Sequence, residues 1–325
     1  MNHFATAVSC GMLALALALT TALPATAQPY PSRPIRIVVP FPPGGASDVT
    51  ARMLAEKFSS TWGANVVVDN RTGATGIIGT EIVARANPEG YTLGLVALSF
   101  AINPSIFKLP YDAERDFTHI TITTSNPLVL VATNNLPVRS VKELIDMAKA
   151  KPEGISFASS GTGSSPHLTA ELFKLATGVR LLHVPYKGST QAHPDLIGGQ
   201  VHIMFDTIVA TTQLIKAGRL RALGVTSKTR TAEFPDVPTI AESGVPGYES
   251  TSWGVLIGPA KMPPAVVNTL HKETLRVLAQ PDVRERIARL GGEPVGNSPA
   301  EARQFIRAEI GKWAKTVKVA GIKPQ

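Results

Sequence analysis

The chain has 325 residues and carries 32 Lys and Arg against 24 Asp and Glu, a formal net charge of +8. The basic residues are scattered and aromatics make up only 6%, which argues against a nucleic-acid groove with its clustered charge and stacking platforms. The single cysteine, Cys10, excludes an internal disulfide, and its removal with an N-terminal signal would leave no thiolate metal site.

At the N-terminus, Gly11 to Leu19 is an apolar run too short to cross a bilayer. Ala25-Thr26-Ala27 then supplies the small residues that a signal peptidase needs. Residues 1–27 therefore read as a signal peptide cut before Gln28, and the periplasm is the expected location. A membrane anchor is the alternative, because the start carries only the α-amino group and His3 as cations. Cys10 precedes the apolar run instead of following it, unlike a lipoprotein cysteine, and would leave with the signal. Nothing after Gln28 is apolar for long enough to cross a membrane. About 300 mature residues exceed what one core usually supports, so two lobes are expected. Residues 28–126 with 250–325 form the first, and 127–249 the second.

Ile35 to Val39, interrupted only by Arg36, reads as a short strand buried on both faces of a parallel sheet. Pro40, Pro42 and Pro43 end its ladder, and Gly44 and Gly45 free the backbone. Ser47 or Asp48 is placed to cap a helix whose apolar face carries Met53, Leu54 and Phe58. Strand, glycine loop and helix N-terminus together make an anion-friendly site. Val66 to Val68 is the next strand, followed by a loop through Gly73-Ala74-Thr75-Gly76 and a helix from Ile77 to Ala86. Thr92 to Leu98 is a third strand, ending at Ser99-Phe100-Ala101-Ile102-Asn103. This β-loop-α repeat predicts a parallel sheet whose carboxyl-end loops, with Thr75 and Ser99 among them, bind ligand. Phe100 is placed either against a ligand ring or in the core.

Pro104 to Asp116 is rich in turn residues and reads as irregular. Ile120 to Ile122 and Leu128 to Ala132 are β-prone, and the first lobe crossing is expected between them. Ser140-Val141-Lys142-Glu143 is a capping box that opens a helix through Ala150. Ile155 to Ala158 is a strand, and Ser159 to Ser165 a second polar glycine loop. Pro166 suits the first turn of the following helix, whose buried face is expected at Leu168, Leu172 and Leu175. Three further strands are expected: Leu181 to Val184, Val201 to Phe205 ending at Asp206, and Leu220 to Val225. Helices over Ala192–Ile197 and Ile208–Ala217 fall between them. After a turn-rich stretch from Phe234 to Tyr248, Ser252 to Ile257 crosses back, with Trp253 as a packing residue there. The tail is helical over Pro264–Leu278 and Val283–Leu290, then from Ser298-Pro299-Ala300-Glu301 onward. No further strand is expected, and these helices should pack on the first lobe.

Pro42 to Asp48 and Ser159 to Ser165 thus repeat one arrangement in the two expected lobes. Neither contains Arg or Lys, so a carboxylate there would be held by backbone N–H groups and the hydroxyls of Ser47, Ser160, Thr162, Ser164 and Ser165. Neutral donors to an ionised acceptor contribute roughly 1.5–3 kcal/mol each, enough for a handful to hold it. Lys187 is placed either in solvent or against a second carboxylate.

The strings VPFPPGGASD, GATGIIGT, SSGTGSSPHL, VPYKGS, LIGGQVHIMFD and SWGVLIGPAKMP occur in this order. They resemble the Bug (TctC-like) extracytoplasmic solute receptors of tripartite tricarboxylate transporters over essentially the whole mature chain. The resemblance implies an α/β, two-lobe periplasmic binding protein of type II, each lobe a mostly parallel sheet flanked by helices. It implies a carboxylate ligand clamped between the two glycine loops, partly through ordered water, and delivery to membrane permease subunits. It assigns Phe41, Pro43, Gly44, Ala46 and Asp48 to the first loop. Ser160, Gly161, Gly163, Ser164 and His167 go to the second, and Asp206 to the strand end that meets an amine or hydroxyl on the ligand. His167 and Asp48 read equally as helix-capping groups, and Asp206 as a strand-end turn. No cofactor, metal or catalytic set is expected, and a monomer is.

Two other classes remain open on the sequence. A hydrolase would need a nucleophile and base, for which Ser164 and His167 are the best pair, but no G-x-S-x-G elbow and no H-E-x-x-H motif occurs. A ligand sensor for a membrane kinase would share the fold and differ in its partner surface. Ligand candidates are aliphatic di- and tricarboxylates, amino acids, nicotinate-like rings and aromatic diacids such as terephthalate.

Overall fold

The computed structural model describes residues 30–322. All the elements below belong to the compact unit that begins at Arg33. Strand β1 (Ile35–Val39) is buried except at Arg36, as a strand covered on both faces should be. It is flanked in parallel by β2 (Val66–Asn70) and β3 (Thr92–Ala97). Helix α1 (Ala46–Trp62) follows β1 and buries Met53, Leu54 and Phe58. Helix α2 (Ile77–Ala84) follows β2 through a 3-10 turn at Ala74–Gly76.

A second parallel triplet repeats this logic further along the chain. Strand β5 (Ser156–Ser159) lies between β6 (Leu182–Pro185) and β7 (Ile203–Thr207), parallel to both. Helices α4 (Val141–Ala150), α5 (Ser165–Thr177), α6 (Ser189–Gly198) and α7 (Ile208–Lys216) surround it. Strand β8 (Leu220–Val225) completes this part. In α5 the buried apolar residues are Leu168, Ala170 and Phe173; Leu172 is half-buried and packs against the cluster from its edge.

Two long strands join the triplets. β4 (Phe117–Thr133) is a single strand of 17 residues. It pairs antiparallel with β9 (Thr251–Pro259) over Phe117–Pro127, and with β7 and β8 over Leu128–Thr133. The sheet order is β2-β1-β3-β9-β4-β7-β5-β6. Two strands with a break between them were expected here. The polar stretch Thr123-Thr124-Ser125-Asn126 hides the continuity, because its backbone is nonetheless paired on both sides, by β9 and by β10 (Glu293–Pro294). Register shifts at His119/Thr121 and Ile122/Thr124 absorb the bend. β10 is itself a correction: two residues are too short to leave a hydrophobic pattern in the sequence.

A second correction is α3 (Ser99–Ile106), which runs through Pro104 where an irregular segment was expected. Phe100, Ala101, Ile102 and Ile106 are all buried, and the helix packs on the C-terminal helix α10 (Pro299–Val319). Burial of this apolar face outweighs the local penalty of an internal proline. Before α10 come α8 (Pro264–Leu278) and α9 (Pro281–Arg289). The expected capping box opens α10: Ser298 Oγ accepts from the Glu301 N–H, and the Glu301 carboxylate accepts from the Ser298 N–H at 2.8 Å. Helix α10 packs on α3 and β4 and also reaches α5. Its Glu309 is buried and accepts from both indoles, Trp253 Nε1 at 3.0 Å and Trp313 Nε1 at 2.9 Å, and pairs with Lys312. Trp253 is therefore a packing residue at the crossing strand, 1% exposed.

β1 and β3 end at one edge of the sheet, and β9, antiparallel to β3, starts there. β4, antiparallel to β9, starts at the opposite edge, where β9 ends. The sheet thus has a carboxyl-end edge at Phe41, Ser99 and Ser252, and a far edge at Phe117 and Pro259.

Candidate functional site

At the carboxyl-end edge, the β1, β2 and β3 loops face the N-terminus of α5 across a cavity of about 520 Å³. Of the sequence-predicted residues, Phe41, Thr75, Ser99, Ser160, Gly161, Thr162, Gly163 and Ser164 all line it. Ser165 completes the polar side. Opposite lies an apolar wall built from Leu98, Ile102, Ile106 and Phe107, with Ile322 beyond the end of α10. Asn103 and Ser252 add two polar groups. Among the described residues, no side chain lining the cavity is charged.

The second loop is organised around the helix start. Ser164 is the N-cap of α5: its Oγ accepts from the His167 N–H and donates to the Gly161 carbonyl at 2.6 Å. Gly163 has φ +79, a left-handed conformation that side chains resist. Its N–H donates to His167 Nδ1 at 3.0 Å. His167 must then be neutral, with its proton on Nε2. Burial lowers its pKa to about 3, with the nearby charges of His183 and Lys174 adding to the effect. The two imidazoles stack with centroids 4.0 Å apart, and His183 Nε2 bonds Ser159 Oγ at 2.7 Å. Ser165 lines the cavity, and its Oγ is buried with no hydrogen-bond partner among the described residues.

The first loop is built alike, but its N–H is taken by a charge. Gly45, not Ser47 or Asp48, sits at the N-cap of α1 and offers no side-chain cap. Asp48, in the first turn, reaches back to accept from the Gly44 N–H at 2.9 Å. It also accepts from Arg52 Nε at 3.0 Å and Asn70 Nδ2 at 2.9 Å. Burial raises its pKa, but these three donors more than offset that and hold the carboxyl below its ordinary value. Asp48 is 2% exposed and lies outside the cavity, while Pro43, Gly44 and Ala46 are exposed and also do not line it.

The loop after β2 carries strain. Ala74 and Thr75 have φ of 45° and 53°, and a β-branched residue there is an outlier that costs of order 1–3 kcal/mol. Asn103 holds it: Thr75 Oγ1 donates to Asn103 Oδ1 and Asn103 Nδ2 donates to the Thr75 carbonyl, each at 3.2 Å. Asn103, Ser252 and Ile322 are site residues that the sequence reading missed. Asn103 fell in a stretch read as loop, and Ile322 reaches the site only through the packing of α10.

The other predicted residues are elsewhere. Phe100 is in the core, 2% exposed, edge-on to Phe117 with centroids 5.2 Å apart. His167 lies beneath the loop, 4% exposed. Lys187 is exposed and outside the cavity. Asp206 is fully buried, bonded by Ser189 Oγ at 2.8 Å, His193 Nε2 at 2.8 Å and the Thr207 N–H at 2.7 Å. The Ser164–His167 pair is no nucleophile and base either, because the ring nitrogen that faces the loop binds Gly163, not Ser164 Oγ.

The model of the tripartite tricarboxylate transporter family receptor, TctC, matches residues 50–322. The chain belongs to this family. TctC and Bug proteins are non-enzymatic solute-binding receptors with the periplasmic-binding-protein fold. Protein BugT of Bordetella pertussis is 39% identical over 308 residues, covering 93% of this chain and 94% of that one. Among solved structures, Rhodopseudomonas palustris Rpa4515 with adipate is 37% identical with a TM-score of 0.75, over 91% of this chain and 100% of that one. MatC of Rhodopseudomonas palustris with bound malate is 31% identical with a TM-score of 0.70, over 89% and 100%. The TctC fold of this chain thus has carboxylate-bound neighbours.

Proposed function

We propose that this TctC receptor works in the periplasm, where it captures a small carboxylate between two lobes and hands it to the permease subunits of a tripartite tricarboxylate transporter. In this reading residues 1–27 are a signal peptide, 28–126 with 250–325 one lobe, 127–249 the other, and the receptor is a monomer. Two apolar clusters that draw all their members from residues 128–248 support the lobe division. β4 and β9 are the natural hinge, since they carry the chain between the halves.

The observation that carries the proposal is the cavity's polar side. Ser160, Thr162 and Ser165 gather neutral donors at the start of α5, where the Gly161 and Gly163 N–H groups are already held by Ser159 Oγ and His167 Nδ1, and no carboxylate among the described lining residues repels an anion. Ligand bridging the lobes shifts the population to a closed form by its differential affinity for the two forms. The apolar wall of Ile102, Ile106, Phe107 and Ile322 favours an uncharged methylene or aryl body, aliphatic or aromatic. With no carboxylate among the described lining residues to meet an ammonium, amino acids are disfavoured.

A thermal-shift and calorimetric screen tests this with carboxylic acids, adipate and terephthalate among them, each beside its amide. A ligand present at about 100 times its Kd adds roughly 2.7 kcal/mol, a rise of several degrees in Tm. Acids are expected to produce that rise and amides not. Equal binding of acid and amide would remove the carboxylate from the reading.

A further inference from the structure

The far edge of the sheet carries a second cluster that the cleft does not use. His119 on β4 is 4% exposed, and neither of its ring nitrogens has a hydrogen-bond partner among the described residues. Buried polar groups are rarely left so, and a neutral imidazole has one N–H to give and one lone pair to receive. His119 borders two adjoining cavities, of about 410 and 480 Å³, both of which also touch Glu114, Ala300 and Arg303. Lys261, just past the end of β9, lines the first.

The charges at this place are unbalanced. Arg303 and Lys261 have no anionic partner among the described residues. Glu114, the one acid lining both cavities, is paired with Arg307 Nε at 2.9 Å, and Arg115 faces Asp112 at 3.7 Å. Burial brings the His119 pKa down to about 4, with Arg303 close enough to disfavour its protonation further and the Glu114 carboxylate acting in the opposite sense. The first turn of α10, at Pro299 and Ala300, adds the positive end of its dipole.

We infer that this cluster is a second ligand site, for a small multivalent oxyanion of the phosphate class. The Arg303 fork and the Lys261 ammonium supply the charge, and the His119 N–H a third, desolvated donor. The site is independent of the cleft: α10 has 21 residues and so separates Arg303's end from Ile322's by about 30 Å.

The test is a titration of the intact protein with inorganic phosphate at constant pH, followed by histidine-selective NMR and calorimetry. The expected result is a saturable shift of the His119 ring signals. Arg303→Gln, at an exposed position, is expected to weaken phosphate binding at least about tenfold, the loss of one charge-assisted hydrogen bond. Lys261→Gln should weaken it too, and neither should change carboxylate affinity at the cleft. An unmoved His119 signal, unchanged affinity in Arg303→Gln, or acetate binding as tightly as phosphate would overturn the inference.

Discussion

The two glycine loops obey one local grammar and end with opposite electrostatics. In each, a left-handed glycine precedes the N-cap, and its N–H is taken by the side chain in the third helical position: Gly44 by Asp48, Gly163 by His167. Asp48 is a carboxylate held in its ionised form, while His167 is an imidazole held neutral. The first helix start is therefore already occupied by a negative charge, and the second is not. The cavity follows this difference, since all of Ser160 to Ser165 line it and nothing from Pro42 to Asp48 does. On the proposed reading, strand, glycine loop and helix make an anion site only when the residue that closes the turn is uncharged.

The largest effect should come from giving the second loop the charge of the first. Ser164→Asp keeps a good helix cap, so α5 and the fold should survive. It sets a carboxylate where ligand oxygens are expected, and affinity should fall by more than about a hundredfold, a like-charge penalty of several kcal/mol. Calorimetry with the best acid from the screen reads the loss, and a Tm within a few degrees of wild type shows the fold intact. Normal affinity would move the carboxylate to another part of the cleft. His167→Asp asks the same question beneath the loop. Asp can still accept from the Gly163 N–H, so the turn should hold while binding weakens about tenfold, one step of 1.4 kcal/mol.

The contrast between the loops was only half legible in the sequence. Both strand–loop–helix units could be read from apolar runs, glycines and caps, because those signals are local. The Ser140 and Ser298 caps formed where expected. What the sequence hides is set by tertiary contact. Asp48 turns away from the cleft because Arg52 and Asn70, from a neighbouring strand, draw it inward. Pro104 masks α3, whose helical state depends on burial against α10, and Ile322 reaches the cavity only once that helix is docked. Asp206 looked like a cleft group at a strand end, yet Ser189 and His193 consume its oxygens.

Acid should separate the loops without mutation. His167 and His183 have pKa values lowered to about 3 and about 4, chiefly by burial, against an ordinary 6.5. The folded form binds fewer protons than the unfolded chain below 6.5, so the stability these groups contribute is complete above that pH and drains away as pH falls toward 4 and then 3. Asp48, with a lowered carboxyl pKa, keeps its contribution above 3.8 and loses it only below. Tm measured from pH 7 to 4.5 should therefore fall through the histidines, with His119 contributing, and not through the first loop. His183→Gln should flatten that slope, whereas Asp48→Asn should lower Tm at every pH in the range and leave the slope unchanged.

The smallest expected effect is the most specific to the second loop. Ser165 Oγ is buried beside the cavity with no hydrogen-bond partner among the described residues, a cost to the empty protein that a bound carboxylate would remove. Ser165→Ala deletes that orphan group at a position where alanine is an excellent helix residue. The unliganded Tm should stay level or rise slightly. Affinity should drop by roughly three- to tenfold, the net contribution of one ordinary hydrogen bond of about 0.5–1.5 kcal/mol. The two readouts move in opposite directions only if the hydroxyl serves the ligand and not the helix. A fall in unliganded Tm with unchanged affinity would make Ser165 a structural residue and leave Ser160 and Thr162 as the loop's remaining hydroxyl donors.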